Sequence, residues 1–209
     1  MRDPATKLLS GNTNAKSDVA NKLISMFLHE LSRKICRRWS VRVEGEDYGH
    51  LIRNRFGNCC PYCLTELVEA NTVVEHLDGM NRLRVGLHIP GNVVVACKRC
   101  NGEKRRDDAS RTLTLAASGW ESFLSHDGTR CPDICPSCRY WRTIWPDANE
   151  RSQKLATNLH NIKDFRKQFT DFEPTMLPLL RDLPEVLSKL YSDCQAFATT
   201  EIETMLNKF

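Results

Sequence analysis

Residues 60–104, CPYCLTELVEANTVVEHLDGMNRLRVGLHIPGNVVVACKRCNGEK, decide the fold of this chain. The stretch begins with Cys60-Pro-Tyr-Cys63 and closes with Cys97-Lys-Arg-Cys100 just before its end. Paired cysteines at this spacing offer four thiolates to one tetrahedral Zn²⁺ ion. Because four protein ligands leave no open position for water or substrate, we expect this zinc to stabilise the fold and to take no part in chemistry.

The sequence between the cysteine pairs predicts two strands and a helix. Thr72-Val73-Val74 and Val93-Val94-Val95 are β-branched runs, which favour short strands. Arg99–Asp108 (RCNGEKRRDD) is predicted to be a helix. The order is therefore strand, loop, strand, helix, with three polar positions set against apolar neighbours: Glu75-His76, Asn92 and Asn101.

These residues together resemble the HNH (ββα-metal) nucleases, in the variant whose last histidine is replaced by asparagine. The resemblance rests on Glu75-His76, Asn92, Asn101 and Lys104, with the flanking cysteine pairs as a zinc frame. It implies an α+β fold, with a small ββα-metal core enclosed by helices. It covers only the stretch from Cys60 to Lys104.

The resemblance also implies a role for each polar residue. His76 would be the general base, since an imidazole accepts a proton near neutral pH. Glu75 and Asn101 would hold one catalytic Mg²⁺ or Mn²⁺ ion through oxygen atoms. Asn92 would brace the loop or hold the His76 ring, and Lys104 would reach a substrate phosphate. The implied function is a divalent-metal-dependent DNA endonuclease that leaves 5′-phosphate and 3′-hydroxyl ends, in a restriction or other defence setting.

Other interpretations of these residues stay open. Adjacent strand residues point to opposite faces, so Glu75 and His76 need a twist or bulge at Leu77-Asp78-Gly79 to face one phosphate. Asn92 follows Pro90-Gly91 and fits a turn residue, while Asn101 fits a helix N-cap. For Asp78 and His88, a structural role in the connecting loop is expected ahead of a contact with DNA or metal. Cys59 is expected to lie outside the zinc site.

A second cysteine cluster follows, in the stretch from His126 to Cys138. Cys131, Cys135 and Cys138 are predicted to hold a second structural zinc, with His126 as the fourth ligand ahead of Cys194 and Cys36. A redox role has little support, because no thioredoxin-like βαβ pattern surrounds the cluster. The aromatic residues that follow, Tyr140, Trp141 and Trp145, fit either stacking on bases or packing around the zinc loop.

Composition limits the class of protein. Ten cysteines in a chain without the apolar segment of a signal peptide favour zinc thiolates in the reducing cytoplasm, and we expect no membrane span. The net charge of +4 is small. The basic residues concentrate between Arg33 and Arg55 and between Lys98 and Arg111, close to the predicted active site, whereas the last forty residues or so are acidic.

The predicted organisation has five parts. Residues 1–16 are expected to be disordered, 17–57 helical, 58–111 the nuclease core, 112–146 a helix with the second cysteine cluster, and 147–209 a helical region. Within these parts the apolar spacing predicts helices over Asp18–Trp39, Glu46–Arg55, Thr112–Leu124, Ala148–Phe169 and Glu185–Leu206. The C-terminal helices are expected either to pack on the N-terminal helix or to form a homodimer interface.

Two other functions compete with a DNA nuclease. One is a zinc-dependent DNA-binding module in which the nuclease residues are idle. The other is an RNase or a nucleic-acid-degrading toxin. DNA is the expected partner of the nuclease and of the DNA-binding module.

Overall fold

The computed structural model describes residues 15–110, 119–129, 131, 134–169 and 173–208. The described chain is rich in helices and contains a small two-stranded antiparallel sheet, so it has a mixed α+β fold. Residues 1–14, predicted to be disordered, and residues 111–118, in which a helix was predicted to start, lie outside the described residues. Among the described helices, none is both long enough and apolar enough to cross a membrane.

The helices are, in chain order, α1 (Ala15–Arg38), α2 (Glu46–Phe56), α3 (Lys98–Ser110), α4 (Gly119–Leu124), α5 (Pro136–Ile144), α6 (Ala148–Lys167) and α7 (Glu173–Leu206). The strands are β1 (Thr72–His76) and β2 (Val93–Cys97), and a short 3-10 turn at Glu69–Asn71 leads into β1.

The two strands and α3 form the ββα unit that the β-branched runs predict. β1 and β2 pair antiparallel in a continuous register from Thr72 opposite Cys97 to His76 opposite Val93. α3 begins at the residue after β2 and packs against both strands. Val94 and Ala96 are fully buried, so this sheet is anchored in the core and not merely laid on the surface.

The loop between the strands, residues 77–92, is closed at its base by Asn92. Its side-chain oxygen accepts a hydrogen bond from the N–H of Asp78 at 2.8 Å. Its side-chain amide donates to the carbonyl oxygens of Asp78 at 3.1 Å and Leu87 at 2.8 Å. The two limbs of the loop also meet at Gly86, where a Cβ atom would lie 1.7 Å from the carbonyl oxygen of Asp78. Only glycine fits there.

The main core surrounds the ββα unit. It joins buried side chains of α2, both strands, α4, α5 and α6. Aromatic rings fill much of it, including Tyr62, Phe123, Trp141 and Phe165, each at 0% exposure. Burial of aromatic rings on this scale dominates core energetics, so α4, α5 and α6 belong to the same packed body as the sheet.

A second core lies between α1, α7 and the loop. Ile24 and Leu28 of α1 pack with Met176, Leu183 and Leu187 of α7. The C-terminal helix therefore packs on the N-terminal one, the first of the two predicted alternatives.

α7 begins at Glu173, earlier than the predicted start at Glu185, and contains Pro178 and Pro184. A proline inside a helix costs about 3 kcal/mol. Burial of each Leu or Met side chain stabilises the folded state by about 2 kcal/mol, and the helix buries several such side chains against α1. Tertiary burial thus outweighs the local rule that proline ends a helix.

Candidate functional site

The four cysteines of the two CxxC pairs come together as predicted. The sulfur atoms of Cys60, Cys63, Cys97 and Cys100 all lie within 4.8 Å of one another, and all four residues are buried. The N–H of Leu64 donates to the carbonyl oxygen of Cys60 at 2.9 Å, which closes the first knuckle. This cluster could hold a tetrahedral Zn²⁺ ion with no open coordination position. Cys59 is not a member of the cluster.

The second cluster also forms, and His126 belongs to it. Its Nδ1 atom lies 3.1 Å from Sγ of Cys131 and 3.3 Å from Sγ of Cys135. With Cys138 these ligand atoms all fall within 4.8 Å of one another. One imidazole and three thiolates are a common structural zinc set. The rival ligands Cys36 and Cys194 lie instead on α1 and α7.

Helix α6 connects the two clusters through buried polar side chains that we did not predict. Asn158 donates to the carbonyl oxygen of Tyr62, inside the first knuckle, at 2.9 Å. Arg151 donates from Nε to the carbonyl oxygen of Asp127, beside His126, at 2.8 Å. Asn158 is 1% exposed and Arg151 is 6% exposed. The sequence does contain a signal for these two residues, because they are polar and lie seven positions apart on an otherwise apolar face of α6.

The aromatic residues after the second cluster serve packing. Tyr140, Trp141 and Trp145 are all buried. The indole N–H of Trp141 donates to the carbonyl oxygen of Phe123 at 2.9 Å, and the hydroxyl of Tyr140 lies 3.0 Å from Sγ of Cys100. The alternative of packing around the zinc loop is confirmed, and these rings are not exposed for stacking on bases.

Glu75 is buried beside Lys104. Its Oε1 atom lies 2.7 Å from Nζ of Lys104, and it also accepts a hydrogen bond from the hydroxyl of Tyr62 at 3.2 Å. Lys104 donates further to the carbonyl oxygens of His76 at 2.8 Å and Leu77 at 3.0 Å. The ammonium that the resemblance directs toward a substrate phosphate is turned into the core, because its face of α3 packs on β1.

A divalent cation was expected at Glu75 and Asn101. Asn101 is half-buried and is the fourth residue of α3, so it is not the N-cap of that helix. A carboxylate and an amide oxygen are suitable ligands for Mg²⁺. However, the Lys104 ammonium already neutralises the Glu75 carboxylate at contact distance. The carboxylate that was expected to bind the cation is therefore engaged by Lys104.

His76 lies on the other side of β1 from Glu75. The strand register stays regular through His76, so no bulge interrupts β1 itself, and alternation directs the two side chains to opposite faces. Nε2 of His76 lies 2.9 Å from Nδ1 of His88. The His29 ring of α1 completes a histidine group, with its centroid 6.0 Å from that of His76 and 5.4 Å from that of His88.

The position of His88 is fixed by α1. The backbone N–H of His88 donates to the hydroxyl oxygen of Ser32 at 2.8 Å, and Ser32 is itself buried. His88, and not Asn92, therefore holds the His76 ring, while Asn92 holds the backbone of the loop. No sequence signal placed His29 next to the loop, because the contact depends on how α1 packs.

The surroundings keep His76 neutral. Burial, together with the neighbouring charges of His88, His29 and Lys104, lowers the pKa of His76 from 6.5 to about 3. Burial also lowers the pKa of His88, helped by His29 and opposed by Glu44. A neutral imidazole at pH 7 has one ring nitrogen that can accept a proton.

Comparison of the chain with protein-family models, with curated proteins and with solved structures found no match.

Proposed function

We propose that this chain is an HNH-type DNA endonuclease in which His76 is the general base. The observation that supports the proposal is the contact of 2.9 Å between Nε2 of His76 and Nδ1 of His88, at the end of a strand in a cysteine-framed ββα unit. A base oriented by a second group is the usual arrangement in hydrolytic sites. The low pKa leaves the imidazole unprotonated at neutral pH but also makes it a weak base, since a general base works best with a pKa near the operating pH.

The proposed reaction uses one of the two proton arrangements that the contact between the rings allows. With the Nε2–H of His76 donating to Nδ1 of His88, Nδ1 of His76 keeps its lone pair. That nitrogen takes a proton from a water molecule while the water oxygen bonds to phosphorus. The bond from phosphorus to the 3′ oxygen breaks, and this oxygen takes a proton from solvent. The products are a 5′-phosphate and a 3′-hydroxyl.

A requirement for Mg²⁺ or Mn²⁺ is proposed on the resemblance alone. Such an ion would act as a Lewis acid on the phosphate. Because Glu75 is paired with Lys104, we assign no reaction step to an ion at that position. The restriction or defence setting is proposed on the same resemblance.

Plasmid cleavage tests the proposal directly. The zinc-loaded protein is incubated with supercoiled plasmid, with and without Mg²⁺ or Mn²⁺, beside His76→Ala and a matched control, His160→Ala. His160 is a strongly exposed histidine on α6. Loss of a general base lowers rates by about 10²–10⁴-fold, so we expect that loss for His76→Ala and an unchanged rate for His160→Ala. Equal rates for the two variants would refute the assignment of His76.

The second candidate is a zinc-stabilised DNA-binding module without catalysis. The closed pair of Glu75 and Lys104 favours it, since the pair leaves the predicted metal ligand engaged. DNA binding without cleavage by the unmodified protein, under every metal condition, would select this candidate. Cleavage of RNA in preference to DNA would instead select the RNase alternative.

A further inference from the structure

A polar cavity borders the histidine group. It has a volume of about 770 Å³ and lies between the C-terminal half of α1, the segment that follows α1, and the loop. The charged and histidine side chains in its lining are His29, Arg33, Arg37, Arg42, Glu44 and His88. Cavities of this size accommodate small ligands or parts of larger ones.

Helical spacing explains why α1 supplies one wall. His29, Arg33 and Arg37 are four residues apart and so follow one face of the helix. Hydrogen bonding fixes the opposite wall, since Ser32 accepts from the N–H of His88 at 2.8 Å. This hydrogen bond holds the loop at His88 against α1.

The charge of the cavity is positive. Three guanidinium groups face one carboxylate, that of Glu44. Arg33 also pairs with Glu30 on α1. Within the described residues, no ion pair engages Arg37 or Arg42. Guanidinium groups match the geometry of phosphate oxygens and bind them through two parallel hydrogen bonds.

The cavity adjoins the proposed general base. His88 lines the cavity, and its Nδ1 atom lies 2.9 Å from Nε2 of His76. We propose that this cavity binds a backbone phosphate of the DNA strand, next to the phosphate that is cleaved. The inference rests on the proposed function and deepens it, since it assigns substrate binding to the helix before the nuclease core. Phosphate contacts of this kind position a strand without reading its sequence.

Binding of a fluorescent DNA duplex, measured by anisotropy over a series of salt concentrations, tests the inference. The full-length, zinc-loaded protein is used without added divalent cation, and a gel verifies that the duplex stays intact. Arg37→Gln and Arg42→Gln are compared with Arg38→Gln. Arg38 is exposed on the same helix but does not line the cavity.

We expect each cavity variant to weaken binding by roughly three- to tenfold and to reduce the slope of log Kd against log salt by about one. Arg38→Gln should change Kd by less than about twofold. Glu44→Gln should tighten binding, because it removes the one carboxylate in the lining. Equal effects of Arg37→Gln and Arg38→Gln would overturn the inference. So would displacement of the duplex by near-stoichiometric inorganic phosphate, which would indicate a pocket for a free anion.

The binding measurement and the cleavage assay test the two proposals separately. An unmodified protein that binds DNA through Arg37 and Arg42 but cuts no plasmid would refute the nuclease and retain the binding site. Cleavage by a protein whose DNA affinity is insensitive to both arginines would refute only the binding site.

Discussion

Nζ of Lys104 lies 2.7 Å from Oε1 of Glu75, and the two side chains are only 2% and 4% exposed. Removing one member of such a pair leaves the other charge buried without compensation, which costs about 3–5 kcal/mol. Replacing both members with apolar or neutral groups of similar size costs far less. The pair therefore offers a direct way to separate a structural role from a catalytic one.

For Glu75→Gln and Lys104→Met alone, we predict a loss of about 3–5 kcal/mol of unfolding free energy in each case. The double variant should lose clearly less than the sum of the two, because no charge remains unpaired. Urea unfolding of the zinc-loaded protein measures all four corners of this cycle. Unchanged stability of Glu75→Gln with abolished cleavage would instead identify Glu75 as a catalytic ligand.

The contact between His76 and His88 predicts graded effects on cleavage. His88→Leu should lower kcat by roughly tenfold, because the His76 ring loses the group that sets its tautomer. His88→Asn should recover part of this loss, since its amide can occupy the position of Nδ1. The Kd for DNA should change little in either variant. Indistinguishable kcat values for Leu and Asn would contradict a positioning role.

Two zinc ions per chain are expected from the two clusters. Cys97→Ser should unfold the core around the sheet, because zinc binding and folding are coupled. His126→Ala should reduce the zinc content to about one ion and leave the first cluster loaded. Elemental analysis with thermal unfolding measures both effects. A cooperative melt that persists in a strong chelator would contradict a structural role for the thiolates.

The low pKa of His76 gives stability a pH dependence with a definite sign. The pKa is about 3 in the folded protein and 6.5 in the unfolded chain, so the unfolded state binds the extra proton. The contribution is complete above pH 6.5 and is lost as pH falls toward 3, at up to about 1.4 kcal/mol per pH unit.

His76→Gln removes this contribution. The stability of the variant, measured by urea unfolding at a series of pH values, should fall less steeply than that of the parent below pH 6.5. Parallel curves for parent and variant would show that folding does not lower the pKa of His76.

The C-terminal end of α7 predicts self-association. Phe197, Ile202, Met205 and Leu206 are all between 47% and 68% exposed. Cutting both strands of DNA is simplest for a two-fold dimer, and we expect these side chains to pack against a second copy. Sedimentation should show a dimer whose population rises with concentration, and Phe197→Ser with Met205→Ser should abolish it. A parent protein that stays monomeric, free and with DNA, would contradict the prediction.

The two cysteine clusters and the ββα unit could be predicted because local spacing encodes them. CxxC pairs specify a knuckle whatever surrounds it, and β-branched runs specify short strands. The membership of His126 followed from its distance along the chain to Cys131. These signals depend on a few neighbouring residues and not on how distant helices pack.

The orientation of the polar side chains could not be predicted in this way. Lys104 points into the core because α3 packs on β1, and His29 approaches His88 because α1 packs on the loop. Both depend on contacts between residues far apart in sequence. The start of α7 was misjudged for the same reason, since burial against α1 outweighs its prolines.

Asn158 and Arg151 lie two turns apart on α6, about 10 Å along its axis. Each donates a hydrogen bond to the backbone beside a different cysteine cluster, Asn158 to Tyr62 and Arg151 to Asp127. Helix α6 thus sets the distance between the two cysteine clusters. Filling either site orders its end of the helix, so one bound ion should raise the affinity of the other site for zinc, and by reciprocity this coupling is equal in both directions.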